Sequence, residues 1–332
     1  MIIHLKASVD RSQAEQLAET LKAIHFEQEG KFVLVTSSSV KSLPEMVKAY
    51  TDAFWVSDSD IQLASKHYRD EVRTVQLGDV QIGGKTNNTI VISGPCSVES
   101  EAQITTSADF MHGLGIKALR GGCYKPRTSP YSFQGLGLEG LQLLSKMRDQ
   151  HGFTIVSEVR DATHVDDVIE HADVVQIGAK SMYDHGILKA CAKTRKPILL
   201  KRGFGTTLQE FVQAAEFILS GGNPNVMLCE RGIRTFETKT RFTLDLCGVA
   251  WLKANTNLPI ILDPSHALGY RYGIADLSKA CVAMGVDGLL IEVHPDPSVA
   301  KSDAAQQLHH DEFTKLLGEL RPVAQAVGRS IV

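Results

Sequence analysis

The chain has 332 residues, with 35 Lys+Arg against 38 Asp+Glu, a formal net charge of −3, and 43% apolar residues. A chain of this length buries about three quarters of its unfolded surface, so it needs neither disulfides nor a structural metal to fold. The near-neutral balance offers no basic stripe for nucleic acid, and no apolar run approaches the roughly 18 residues of a membrane span.

The start, Met1-Ile2-Ile3-His4-Leu5-Lys6, lacks the basic and apolar regions of a secretion signal. The six cysteines contain no C-x-x-C pair and read as reduced thiols, which points to a cytoplasmic protein. Ile2–Ala7 predicts a strand, and Asp10–His25 a helix with Ala14, Leu17, Ala18, Leu21 and Ile24 at helical spacing. Phe26–Ser37 predicts a hairpin turning at Glu29-Gly30. Leu43–Phe54 predicts a second helix, and Phe54–Val56 a last strand. That order, β-α-β-β-α-β, is a ferredoxin-like α+β plan. Residues 1–75 carry no catalytic constellation and read as a regulatory or oligomerising domain. Asp58–Asp79 reads as a polar connection with a few helical turns.

A different rhythm fills residues 76–332. Eight short apolar runs alternate with amphipathic stretches: Thr89–Ser93, Lys117–Arg120, Thr154–Glu158, Asp173–Ile177, Pro197–Lys201, Asn225–Glu230, Pro259–Asp263 and Asp287–Val293. Continuous apolar strands separated by helices imply a parallel sheet covered by helices, and eight such units fit an α/β fold, the closed (β/α)8 TIM barrel. An open doubly wound sheet is the alternative, and the strand ends argue against it. In a closed barrel the C-terminal strand ends meet at one mouth. Runs 1, 7 and 8 end in Gly94-Pro95-Cys96-Ser97, Asp263-Pro264-Ser265-His266 and Glu292-Val293-His294-Pro295, with Asp303 in the loop beyond. Closure makes those runs neighbours, so Cys96, His266, Glu292 and Asp303 can meet. Thiolate, imidazole and two carboxylates suit one divalent Mn, Fe, Co or Zn ion better than Mg or Ca. Each alone is an ordinary core or loop residue; only their joint placement makes a metal centre.

The remaining strand ends are cationic: Arg120 with Lys125 and Arg127, Lys180, Lys201 with Arg202, and Arg231 with Arg234. Cations gathered in a pocket of a near-neutral protein predict phosphate and carboxylate ligands. Glu158 is the acidic exception.

The segments Gly94–Glu99, Arg120-Gly121-Gly122-Cys123-Tyr124-Lys125-Pro126-Arg127-Thr128-Ser129-Pro130, Leu200–Gly203, Cys229–Gly232, Asp263–His266 and Glu292–Pro295 closely resemble 3-deoxy-D-arabino-heptulosonate 7-phosphate synthases. The resemblance runs from about Val75 to the C-terminus, and it is to the branch with an N-terminal ferredoxin-like extension. It implies condensation of phosphoenolpyruvate with erythrose 4-phosphate, releasing phosphate, at the entry to the shikimate pathway. It also implies that Cys96, His266, Glu292 and Asp303 hold the metal, and that Arg120, Lys125, Lys201 and Arg231 clamp phosphoenolpyruvate. Lys180 stands where much of the family has Arg, which keeps the charge and loses the bidentate fork. Pro126, Arg127 and Thr128 match the segment facing erythrose 4-phosphate. Lys125 is the expected proton donor to the new alkoxide, and Glu158 the group orienting the water. The family further implies a homo-oligomer, dimer or tetramer, with an aromatic amino acid as effector of the N-terminal domain. The related octulosonate 8-phosphate synthases, which use arabinose 5-phosphate, are the nearest rival, and a silent effector-binding barrel is another. Cys96 and Cys123 follow neighbouring strands, which leaves two readings open: a disulfide that would remove a metal ligand, and Cys123 packed as a small core side chain, the reading preferred here.

Overall fold

The computed structural model describes residues 1–125 and 129–332. Its first unit is a four-stranded antiparallel sheet built from β1 (Ile2–Leu5), β2 (Ile24–Gln28), β3 (Lys31–Val35) and β4 (Thr51–Trp55). The spatial order is β2-β3-β1-β4, and helices α1 (Arg11–Leu21) and α2 (Glu45–Lys48) connect the strands. The two-residue period of a strand divides the side chains between two faces. Ile3, Leu5 and Leu34 pack with Ala14, Leu17 and Ala18 of α1, whereas Ile2, Val33 and Val35 belong to a buried cluster that continues into the next unit.

Two expectations for this unit need correction. Asp10 caps α1 by accepting the Gln13 backbone N–H, but Lys22 takes a left-handed φ of 51° and ends the helix at Leu21. Ile24 and His25 therefore open β2 instead of extending the helix. The predicted helix over residues 43–54 contracts to the single turn Glu45–Lys48. Thr51, Phe54 and Trp55 pair with β1, the placement that β-branched and aromatic side chains favour. The polar connection also contains an unforeseen hairpin, β5 (Thr74–Leu77) and β6 (Val80–Gly83). Its Val75, Leu77, Val80 and Ile82 pack with inward-facing Ile90, Ile92, Val156, Leu199 and Leu290, closing the floor of the barrel.

That barrel has eight parallel strands: β7 (Asn88–Gly94), β8 (Ala118–Arg120), β9 (Thr154–Val159), β10 (Val174–Ile177), β11 (Ile198–Lys201), β12 (Val226–Glu230), β13 (Ile260–Leu262) and β14 (Gly288–Glu292). Each pairs with the next, and β14 returns to β7 in the register Gly288↔Ile90 through Glu292↔Gly94. The ring is closed, and the open-sheet alternative falls. Alternate residues such as Val91, Leu119, Ile155 and Val175 face outward under the helices. Those helices are α3 (Glu101–Gly113), α4 (Leu138–His151), α5 (Val165–His171), α6 (His185–Lys193), α7 (Leu208–Ser220), α8 (Leu246–Asn255), α9 (Pro264–Leu268), α10 (Ile274–Ala283) and α11 (His310–Ala326). A two-residue strand, β15 (Ser330–Ile331), joins the start of β7. Among the described residues no helix is long and apolar enough to cross a membrane.

Candidate metal centre and anion pocket at the barrel mouth

The β14–β7 register sets Glu292 opposite Gly94, two residues before Cys96. Gly94 has a φ of +147°, and a Cβ there would lie 2.2 Å from the Arg120 carbonyl oxygen, so only glycine lets the chain turn into the mouth. His266 sits on α9, a single turn opened by Asp263, whose side chain accepts the His266 N–H at 2.9 Å. Asp303 holds a left-handed φ of 46°, an uncommon conformation for a residue other than glycine. One ligand atom from each of Cys96, His266, Glu292 and Asp303 falls within 4.8 Å of the others. The four expected donors converge.

Their surroundings fix their orientation. Cys96 Sγ lies 3.0 Å from Ser302 Oγ, 3.4 Å from Asp303 Oδ2 and 3.3 Å from Lys125 Nζ. His266 Nε2 is 3.3 Å from Glu292 Oε1, and its Nδ1 is 2.7 Å from Asp263 Oδ2. A carboxylate behind a ring nitrogen leaves the other nitrogen to face the site, as ligating histidines require. Arg120 Nη1 donates to Glu292 Oε1 at 2.6 Å, and Gln306 Nε2 donates to Glu292 Oε2 at 2.6 Å. Gln307 accepts the Cys96 N–H at 2.8 Å and donates to the Ser302 carbonyl at 2.8 Å, which ties the Cys96 turn to the Asp303 loop.

Burial, reinforced by Glu292, pushes the Cys96 thiol up to about 12. Burial is the largest influence on Glu292 and Asp303 and works against their ionised forms, but His266 together with Arg120 at Glu292, and with Arg241 and Lys125 at Asp303, holds both below the usual carboxylate range. Sulfur, imidazole and two ionised carboxylates at this spacing fit a divalent first-row ion with room for an exchangeable ligand. A bound ion would displace the thiol proton.

Opposite these donors the mouth opens into a cavity of about 340 Å³ lined by Arg120, Lys125, Glu158, Lys180, Lys201 and Arg231 among others. Lys201 Nζ is 2.7 Å from Asp263 Oδ2, so one buried carboxylate links the cationic wall to His266. Lys125 Nζ donates to the Cys96 carbonyl at 2.9 Å. Burial pulls the Lys125 ammonium down, but Cys96 and Glu158 outweigh it and keep it above its ordinary value. Glu158 accepts a hydrogen bond from Gln176. Arg231 is 5% exposed, its Nη1 is buried without a partner, and its guanidinium lies 4.3 Å from the centre of the Phe242 ring. Arg234 sits over Phe204 at 4.8 Å. Aromatic faces hold these guanidinium groups without neutralising them, so their charge stays available to a ligand.

Not every expected residue reaches this cavity. Arg202 turns away from it: Nη1 donates to Glu230 at 2.9 Å and to Asp245 at 2.8 Å. Pro126, Arg127 and Thr128 lie outside the described residues. Cys123 packs between the wall and α4, where a Cβ on Gly140 would lie 3.0 Å from its sulfur, and burial pushes its thiol up to about 12. Cys96 faces the mouth instead, and two fully buried thiols of this kind are poor redox partners. The disulfide reading therefore finds no support. Sequence reasoning gives no role to Asp263, although it stands in the motif that ends in His266, and does not single out Arg241, Phe242, Gln306 or Gln307. Only Asp263 had a readable signal, as the cap three residues before His266.

A closed parallel barrel with a soft–hard donor set facing a cationic pocket is the architecture of a metal-assisted enzyme acting on phosphorylated substrates. The chain belongs to the DAHP synthetase I family, whose profile matches residues 61–326. It is 44% identical over 267 residues to phospho-2-dehydro-3-deoxyheptonate aldolase of Thermotoga maritima, covering 80% of this chain and 78% of that protein. The solved structure of that Thermotoga maritima aldolase superposes with a TM-score of 0.81 at 36% identity, covering 100% of this chain and 99% of the other. A 2-dehydro-3-deoxyphosphooctonate aldolase of Syntrophotalea carbinolica is 32% identical over 268 residues, covering 75% of this chain and 95% of that relative.

Proposed function

We propose that this chain condenses phosphoenolpyruvate with erythrose 4-phosphate and water to give 3-deoxy-D-arabino-heptulosonate 7-phosphate and phosphate, the first step of the shikimate pathway. The observation that carries the reading is the convergence of Cys96, His266, Glu292 and Asp303 beside a pocket lined by Arg120, Lys125, Lys180, Lys201 and Arg231. The aldolase of Thermotoga maritima supports the heptulosonate product over the octulosonate one, because its identity is the higher. A divalent ion on the four donors supplies Lewis acidity toward the aldehyde oxygen.

The chain's own groups do the rest. Arg120, Lys125, Lys180, Lys201 and Arg231 hold the phosphate and carboxylate of phosphoenolpyruvate, and Pro126, Arg127 and Thr128 face the tetrose phosphate. Holding two anions together against their repulsion is itself a large part of the catalysis. C3 of phosphoenolpyruvate bonds to the aldehyde carbon as the carbonyl π bond opens, and Lys125 delivers a proton to the resulting alkoxide oxygen, which stays on that carbon. Glu158 orients the water that adds at C2, and the resulting hemiketal phosphate ester expels phosphate. The position of Lys125, 2.9 Å from the Cys96 carbonyl and in the cationic wall at once, supports its part. Arg202 is the weakest member of the substrate set, since two carboxylates already engage it.

Residues 1–75 are a ferredoxin-like regulatory or assembly domain and residues 76–332 the catalytic barrel; the β2-β3-β1-β4 sheet order supports the first assignment. An aromatic amino acid effector, a homo-oligomeric state and a cytoplasmic location complete the reading, the last supported by six unpaired cysteines. Stripping metal with a chelator, restoring Mn, Fe, Co or Zn, and measuring phosphate release with each aldose tests the core of it. Metal-dependent turnover with erythrose 4-phosphate is expected; turnover with arabinose 5-phosphate alone would overturn the product assignment.

A further inference from the structure

Among the described residues four arginines are buried: Arg73, Arg120, Arg202 and Arg231. A buried cation without a counter-ion is costly. Arg120 and Arg202 meet it with carboxylates at 2.6 Å and 2.8 Å. Arg231 has no carboxylate partner among the described residues, and it faces the pocket assigned to anionic substrates. Arg73 is the second unpaired one, and it lies far from the mouth.

Arg73 is 4% exposed and lines a cavity of about 460 Å³ between the β2–β3 turn and the loops that enter β11 and β12. Its Nε donates to Asn257 Oδ1 at 2.9 Å and its Nη2 to the Leu63 carbonyl at 2.9 Å, both neutral acceptors, and among the described residues no carboxylate pairs with it. Burial pulls the guanidinium down to about 10, the direction expected of a charge that lacks its anion. Arg69 and Arg195 line the same cavity, and neither forms an ion pair among the described residues. Phe26 and Leu63 give it an apolar wall. Glu27 and Glu29 also border it, on the hairpin, against the three arginines.

We propose that this cavity is a second ligand site, taking a small oxyanion, a carboxylate or phosphate group on a compact body, against Arg69, Arg73 and Arg195. Guanidinium forks match such oxygens in pairs. The first unit, the connection and the barrel all contribute to the walls, so an occupied site ties them together and favours the docked arrangement. The inference does not rest on the condensation reading.

The test uses the full chain and two probes, inorganic phosphate and benzoate, titrated calorimetrically into the wild type and into Arg69→Gln/Arg195→Gln. Arg73 stays intact because it fastens the connection to Asn257. Arg195→Gln alone, whose side chain donates only to the exposed Gly222 carbonyl, guards against misfolding of the double variant. The wild type should bind one more saturable probe per chain than the double variant, or bind it about tenfold more tightly at that site. Phosphate alone identifies a phosphate-bearing ligand, benzoate alone a carboxylate, and both together the oxyanion itself. Equal stoichiometry and affinity in the two proteins for both probes would overturn the proposal. Binding at the mouth is common to all three proteins, and its loss would bear on the catalytic reading alone.

Discussion

Arg202 and Arg231 follow neighbouring strands and meet opposite surroundings. Arg202 balances Glu230, which is fully buried, so its removal strands a carboxylate without a counter-ion. Arg202→Met is expected to cost about 3–5 kcal/mol of stability while leaving the KM for phosphoenolpyruvate nearly unchanged. Arg231→Met should do the reverse: a small change in the denaturation midpoint, and a loss in kcat/KM of roughly ten- to a hundredfold. Denaturant melts and steady-state kinetics on the pair separate the roles, and an interchange of the two results would refute the assignment. Phe242→Leu should raise that KM about 2- to 30-fold by removing the ring under Arg231. The strand-end cations were legible in the sequence because barrel topology sends strand ends to one mouth. Which of them are neutralised was not legible: the second partner of Arg202 is Asp245, 43 positions away.

At the scale of elements, sequence periodicity located the eight barrel strands, because continuous apolar runs between helices have few other uses. It failed where the signal was short. Residues 43–54 contain enough apolar side chains to look helical, yet the strand preference of Thr51, Phe54 and Trp55 and the open edge of β1 decide their state. The β5–β6 hairpin was missed because its alternating Val75, Leu77, Val80 and Ile82 are interleaved with polar residues and gain their burial only from the barrel floor. Between these elements Glu216 of α7 accepts backbone N–H bonds from Gln62, Leu63 and Ala64 at 2.8, 3.1 and 2.7 Å. Burial pushes its carboxyl up from 4.5 to about 7, against the pull of those three donors. The folded state thus keeps a proton that the unfolded state releases, so this contribution is full below about 4.5 and is lost as pH rises toward 7. Glu216→Gln should flatten that part of the stability–pH profile relative to wild type. Parallel profiles for the two proteins would show that the carboxyl does not titrate in this range.

For the whole molecule, closure is what makes chemistry: residues 96, 266, 292 and 303 become a cluster only because β14 pairs with β7. That much followed from topology, while the supporting Gln306, Gln307 and Arg241 depend on loop paths that no periodicity encodes. The first unit shares a continuous buried cluster with the barrel, so deleting it should lower the thermal midpoint while metal-dependent phosphate release persists. Any inhibition by Phe or Tyr should vanish with it, and inhibition surviving the deletion would place the effector elsewhere. The most direct measurement of the central claim is X-ray absorption at the zinc edge of the zinc-loaded protein. One sulfur neighbour at about 2.3 Å with nitrogen and oxygen neighbours at about 2.0–2.2 Å, the sulfur disappearing in Cys96→Ser, is the result expected. A shell of nitrogen and oxygen alone in the wild type would contradict it.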